Sequence, residues 1–322
     1  MTDSTILETS EIATNRQRVR MKYLLGELVL GSWRPDLVVM APRNFGYANW
    51  PKTAEQLSSE LPNDAVGFLC RKVSADKFSE GIGTYGKFLV YVPYKDVLHY
   101  VKINGTFDDY LKTFTPKARQ NLTRSVRNFF KKSPGDQTLE IASAPDEIVR
   151  FHAEAAAISS QTYQSKMLDS GLPPGEDFCN HMMTLAQEGK ARGYLLRDGS
   201  QAVAFSWCQK DGNQLNYNIV GYLPEHAKSS PGTVLLYLLL KDVFDNGVSQ
   251  VVDFGPGEAQ YKAMFATHHE EFVDAYVLRW SIGIWLATQA HHKLMLFSSA
   301  VGRMLENWGV KKRIKAILRR IK

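Results

Sequence analysis

The chain has 322 residues, 44% hydrophobic and 22% charged, with a formal net charge of +6. That length buries a large core and suggests two domains, and the composition is that of a globular protein. No uninterrupted apolar run reaches the roughly 18 residues of a spanning helix. The polar start over Met1–Arg20 lacks a secretory signal pattern, and the three scattered cysteines, Cys70, Cys179 and Cys208, fit a reducing cytoplasm rather than a disulfide framework or a metal site.

In chain order, residues 14–31 read as helix around Tyr23-Leu24-Leu25, within an N-terminal extension over 1–30. Asp36–Met40 reads as a strand, 52–61 as a short helix, and 65–73, 87–93 and 97–103 as strands. Helices are expected at 107–113 and 116–132. The second carries Lys117, Arg119, Arg124, Arg127, Lys131 and Lys132 with no acid, and an apolar stripe through Leu122, Val126 and Phe129. It is either a solvated basic face or one wall of a groove for a phosphate-bearing substrate. Nucleic acid is disfavoured, because one basic helix without interleaved aromatics is a poor base-stacking surface. Ser133-Pro134-Gly135 marks a boundary between units at 31–135 and 136–280.

The second unit opens with a strand at 138–142 and helices at 146–159 and 176–189. Strands follow at 192–198, 201–209 and 214–221, with Asp198-Gly199 and Asp211-Gly212 as hairpin turns. Helix 231–246 begins at Ser230-Pro231-Gly232 and stops at Gly247, with Ser230 as expected N-cap. Such a helix start is suited to an anion, and Gly232 leaves room for close approach to the backbone. Strand 250–254 follows, then Gly255-Pro256-Gly257, a helix over 258–266 and a strand over 272–280. An acid, a tyrosine and a lysine (Asp253, Tyr261, Lys262) thus gather near the end of a central strand, where sites of open α/β sheets lie. Helices fill 281–322. Residues 303–322 hold eight Lys/Arg against Glu306, more net positive charge than the whole chain. Ile314, Ile317, Leu318 and Ile321 make the tail a basic amphipathic helix, docked on its own core, on an anionic membrane surface through 308–322, or on a nucleic acid or protein partner. The adjacent pairs His268-His269 and His291-His292 lack ligand spacing, and no metal is expected.

Residues 114–280 resemble the acetyltransferase-like family related to cellulose-biosynthesis accessory proteins, within the GNAT superfamily. The resemblance is carried by the basic helix Lys117–Lys132, by Tyr194-Leu195-Leu196-Arg197-Asp198-Gly199 leading to Ala202-Val203-Ala204, by Tyr217 to Gly221, by Ser230-Pro231-Gly232, and by Asp253-Phe254 with Tyr261-Lys262 downstream. Residues 31–113 resemble the first half of a doubled unit, as in Fem-type peptidyltransferases. The fold implied is α/β (α+β), with mixed sheets flanked by helices in two tandem GNAT-like units plus C-terminal helices.

The resemblance implies an N- or O-acyltransferase using acetyl-CoA or another acyl-CoA, with a small-molecule or saccharide acceptor. It places the cofactor's diphosphate at Lys228, Ser229, Ser230, Gly232, Thr233 and Val234. Asp253 or Glu258 would be the base, and Tyr261 would protonate the leaving thiolate. Arg119, Arg124, Tyr163 and Lys262 would hold substrate. The loop departs from the pattern, with Lys228, one glycine and a proline where relatives have further glycines. Two alternatives stay open: a Fem-type enzyme using aminoacyl-tRNA, and a non-catalytic binding protein that keeps the fold.

Overall fold

The computed structural model describes residues 16–26, 28–40, 54–131, 137–162 and 171–307. In chain order the elements are β1 (Arg16–Arg18), β2 (Met21–Leu25), β3 (Leu28–Trp33), β4 (Asp36–Met40), α1 (Ala54–Glu60), β5 (Gly67–Ser74), β6 (Gly81–Tyr85), β7 (Phe88–Val92) and β8 (Lys95–Lys102). Then come α2 (Phe107–Lys112), α3 (Pro116–Lys131), β9 (Gln137–Ala142), α4 (Pro145–Gln161), α5 (Glu176–Gln187), β10 (Ala191–Asp198), β11 (Gln201–Asp211) and β12 (Gln214–Tyr222). The chain ends with α6 (Pro231–Asn246), β13 (Val251–Pro256), α7 (Gln260–Phe265), β14 (His268–Arg279) and α8 (Ile282–Asn307). Two compact units result, Met1–Asp96 with Glu271–Lys322, and Val97–Glu270. Ser133-Pro134-Gly135, Tyr163 and the basic tail over 308–322 lie outside the described residues.

Each unit contains a mixed sheet with one parallel pair. In the first, β4 lies parallel to β5, and α1 falls between them in the chain. β1 pairs antiparallel with β4, β14 with β5 and β7, and β6 with β7. The helix expected over 14–31 is not formed. Gly26, at φ +60°, turns the chain, and Met21–Leu25 pairs antiparallel with Leu28–Trp33. The apolar Tyr23-Leu24-Leu25 run serves either structure locally. The glycine turn, together with packing of β2 on α8, decides for the hairpin.

In the second unit β9, β10, β11 and β12 are antiparallel neighbours. β13 then lies parallel to β12 and antiparallel to β8. A β13 parallel to β12 needs a crossover connection, and α6 supplies it. Its run Val234-Leu235-Leu236, Leu239-Leu240 and Val243 is buried against the sheet. Successive side chains of β10 show how the sheet is covered. A Cβ on Gly193 would strike the Phe151 ring of α4, whereas Tyr194 donates its hydroxyl to Asp242 of α6 at 2.8 Å. Side chains alternate along a strand, so α4 and α6 cover opposite faces. Asp242 also takes Arg192 at 2.7 Å and Asn246 at 2.8 Å, which ties α6 to the sheet.

Candidate active site

The parallel ladder between β12 and β13 runs from Gln214↔Val251 to Asn216↔Asp253 and stops there. β12 nonetheless continues to Tyr222 and β13 to Pro256. The cause lies on the other side of β12. Trp207 pairs with Ile219 and Cys208 with Tyr217, so Asn218 is an extra residue in a β-bulge. A bulge bends its strand and sharpens the local twist. β12 therefore diverges from β13, and its main chain from Tyr217 onward has no β13 partner among the described residues.

A cavity of about 500 Å³ opens beside the diverging stretch of β12. Tyr217, Gly221 and Tyr222 line it from β12, Phe205 from β11, Gly232 and Thr233 from the start of α6, and Tyr261 from α7. Most of this lining is apolar, with hydroxyls at Thr162, Tyr217, Tyr222, Thr233 and Tyr261. Gly221 is required where it stands, because a Cβ there would lie 2.6 Å from Phe205 Cε1 and 3.0 Å from Thr162 Cγ2. At one end of the cavity three rings meet edge to face. Tyr261 lies 6.1 Å from Tyr217 and 6.2 Å from Phe254, centroid to centroid. Burial pushes the Tyr261 phenol above its ordinary value, and the Tyr217 phenol well above it. Burial therefore favours the neutral, proton-carrying form of both phenols.

At the other end is the mouth of α6. Ser230 occupies the N-cap position but in the left-handed region, at φ 53° and ψ 48°, and its side chain makes no cap hydrogen bond. Its carbonyl instead accepts both Thr233 N–H and Val234 N–H at 3.1 Å. Among the described residues no backbone acceptor closes on the Gly232 N–H. A free amide beside a helix start is a donor for an anionic group.

The expected diphosphate residues therefore separate. Gly232 and Thr233 line the cavity. Lys228 stands exposed on the preceding 3-10 turn, the Ser229 hydroxyl donates to His226 O at 2.7 Å, and Val234 is fully buried in the core. Tyr261 reaches the cavity, and the other residues expected at the chemistry do not line it. Asp253 is 2% exposed, and its carboxylate accepts from Gln214 Nε2 at 2.9 Å and Gly255 N at 2.7 Å. This is a clamp on the strand end, where Gly255 adopts φ +73°. Lys262 is buried and donates to Gly255 O at 3.1 Å and Pro256 O at 2.6 Å. Glu258 precedes α7 and is exposed, 3.4 Å from His99 Nε2. Arg119 and Arg124 lie on α3, and Arg124 donates to Asn121 Oδ1 at 3.1 Å.

Phe205, Tyr222 and Thr162 were not singled out by sequence reasoning, and Tyr217 and Gly221 entered it only as part of a motif. The signal for Gly221 was a lone glycine ending a strand-like run, which often marks close approach.

Residues 116–263 match the family model described as acetyltransferase (GNAT) domain. The crystal structure of FemX is similar at 12% identity, with 88% of this chain and 94% of that chain covered and a TM-score of 0.54. L-PGS from Bacillus licheniformis is similar at 14% identity, over 74% of this chain and 76% of that one, with a TM-score of 0.46. The ribosomal-protein-S18-alanine N-acetyltransferase from Escherichia coli is similar at 14% identity, over 45% of this chain and 96% of that one, with a TM-score of 0.29. No curated protein matches the chain. The likeness to FemX shows the fold, and the family match falls on the unit that holds the cavity. Residues 116–263 thus match an acetyltransferase (GNAT) domain model, and this match supports an acyltransferase.

Proposed function

We propose that the Val97–Glu270 unit transfers an acyl group from an acyl-CoA to an amine or hydroxyl acceptor. The observation that carries this reading is the single cavity joining the open amide of Gly232 to the protonated phenol of Tyr261. The cavity fits such a donor. Its apolar lining suits the pantetheine arm, its volume lies in the range of small-molecule sites, and a diphosphate at the mouth of α6 meets the Gly232 N–H and the helix dipole. When bound, the donor supplies an activated acyl carbonyl. Main-chain groups of β12 beyond Asn216, which have no β13 partner, would hold the arm. Tyr261 would protonate the thiolate as the C–S bond breaks and the acceptor nitrogen or oxygen bonds to the acyl carbon, and would take back the proton that the acceptor loses. Asp253 and Lys262 position Tyr261 indirectly, by fixing the turn that leads into α7. The resemblance to cellulose-biosynthesis accessory proteins supports a sugar or polysaccharide precursor as acceptor.

The test is thermal unfolding of the full chain with acetyl-CoA and longer acyl-CoAs. Binding at about 100 times Kd stabilises the folded state by about 2.7 kcal/mol. The Gly232→Asp variant should lose that shift, because its carboxylate repels a diphosphate at the same mouth. An undiminished shift in the variant removes the mouth from the site, and no shift with any acyl-CoA removes the donor class.

A second reading, in which aminoacyl-tRNA is the donor, is favoured by α3. Its Lys117, Arg119, Arg124, Arg127 and Lys131 have no acid among them, and the helix packs against α6 and the turn Pro224–Ser229. This reading predicts binding of tRNA that weakens steeply with salt, and a flat, weak response counts against it.

A further inference from the structure

Two buried side-chain atoms among the described residues lack a hydrogen-bond partner, His99 Nε2 and His292 Nδ1. A buried polar atom left unpaired loses its hydration for no return, so it points to a role other than packing. For His99 the surroundings supply one. His99 lies on β8 and is 6% exposed. Asp253 pairs with Tyr100 and Pro256 with Leu98, so His99 stands opposite the two-residue bulge Phe254-Gly255 of β13. Residues opposite one another in an antiparallel pair share a face of the sheet. The imidazole is therefore on the Phe254 face, where α7 sets Tyr261 with its ring 6.2 Å from that of Phe254.

α7 has six residues, too few to hold a helix by itself in water. Its far end is pinned. The Tyr110 hydroxyl donates to Phe265 O at 2.7 Å, and Thr267 N–H donates to Tyr100 O at 3.1 Å. Its start has no side-chain cap, because Ala259 occupies the N-cap position. Glu258, one residue earlier, brings its carboxylate to 3.4 Å from His99 Nε2. A proton on the imidazole completes an ion pair there. The other charged and titratable groups on the elements around His99 are Lys262, Glu270 and His269. Lys262 donates its ammonium to Gly255 O and Pro256 O, Glu270 accepts the Tyr100 hydroxyl, and the His269 ring lies 6.5 Å from the His99 ring, centroid to centroid. Lys262 and His269 oppose a proton on His99, and Glu258 favours it. All of these groups belong to the Val97–Glu270 unit.

We propose that His99 is a positioning residue for Tyr261. Protonated, it holds Glu258 and with it the start of α7; neutral, it releases that start. What Tyr261 then does rests on the acyltransfer reading, whereas the hold on α7 does not.

Amide hydrogen exchange of the full chain tests it, read by mass spectrometry on peptides spanning α7 and corrected for the intrinsic rate at each pH. Histidine is the side chain that ordinarily changes charge between about pH 5.5 and 8. In the wild type, exchange over α7 should be roughly two- to fivefold slower at the lower pH, the scale of a pair with one exposed partner. Glu258→Gln and His99→Gln should each abolish that difference and leave exchange in β10 and β11 unchanged. Should His99→Gln fail to fold, Glu258→Gln decides alone, since its position is exposed. A wild type without the difference, or a difference that survives Glu258→Gln, overturns the proposal. The exchange is read without ligand, so its outcome is independent of whether an acyl-CoA binds.

Discussion

Replacing Gly221 by alanine tests whether the cavity is as tightly framed as its packing implies. The added methyl would sit 2.6 Å from Phe205 Cε1, 3.0 Å from Thr162 Cγ2 and 3.2 Å from Phe205 Cζ. All three are inside van der Waals contact. Phe205 is 1% exposed and packed at 6.4 Å against the Phe151 ring, so its open side is the cavity. The ring must turn into the space that the donor needs. Overpacking of this kind costs about 1–3 kcal/mol, which leaves the chain folded but lowers its melting temperature. The stabilisation of about 2.7 kcal/mol expected from an acyl-CoA at 100 times Kd should fall at the same time, by 1.4 kcal/mol for each tenfold loss of affinity. Scanning fluorimetry with and without acyl-CoA reads both effects. Adding Phe205→Leu to Gly221→Ala should restore the ligand shift by giving the methyl room. A single variant with unchanged melting temperature and unchanged ligand shift would refute the packing argument.

Ser230→Gly should stabilise the chain by about 1 kcal/mol in denaturant unfolding, because a non-glycine residue in the left-handed region carries a strain of that order. Asp242→Ala should cost about 3 kcal/mol or more, as it leaves Arg192 and the Tyr194 hydroxyl without their acceptor; a loss under 1 kcal/mol would mean that the sheet and α6 hold without this link. Burial lowers the His291 pKa below its ordinary value, which a backbone hydrogen bond at Lys22 partly opposes. The unfolded chain then binds the proton more readily, so this contribution is complete above about pH 6.5 and is lost as pH falls through the folded value. Stability measured against pH should show that acid-side loss in the wild type and less of it in His291→Gln.

Local punctuation made much of the fold readable. Pro231 and Gly247 bound α6 at residues 231 and 246, where the chain composition alone puts them. Asp36–Met40 stood out as a short β-branched run with turn residues before it. The Gly81–Tyr85 strand was hidden by two glycines in five residues, and its pairing with Phe88–Val92 forms it. The hairpin over 21–33 was read as helix because its decisive contacts are with a segment more than 260 residues away. Within the candidate site, Gly232 and Tyr261 belong to local motifs and come together across the cavity. Asp253 looks like a base in a linear reading, since its partner Gln214 lies 39 positions upstream. The bulge at Asn218 is equally invisible, because it exists only in the register between β11 and β12.

That bulge has an evolutionary consequence. A slot opened by strand geometry offers peptide groups, which every residue type brings with it. Substitution can then run freely along the slot as long as the kink survives. A chain built this way can change far in sequence while its architecture holds, and the fold shared with FemX at 12% identity is of that kind.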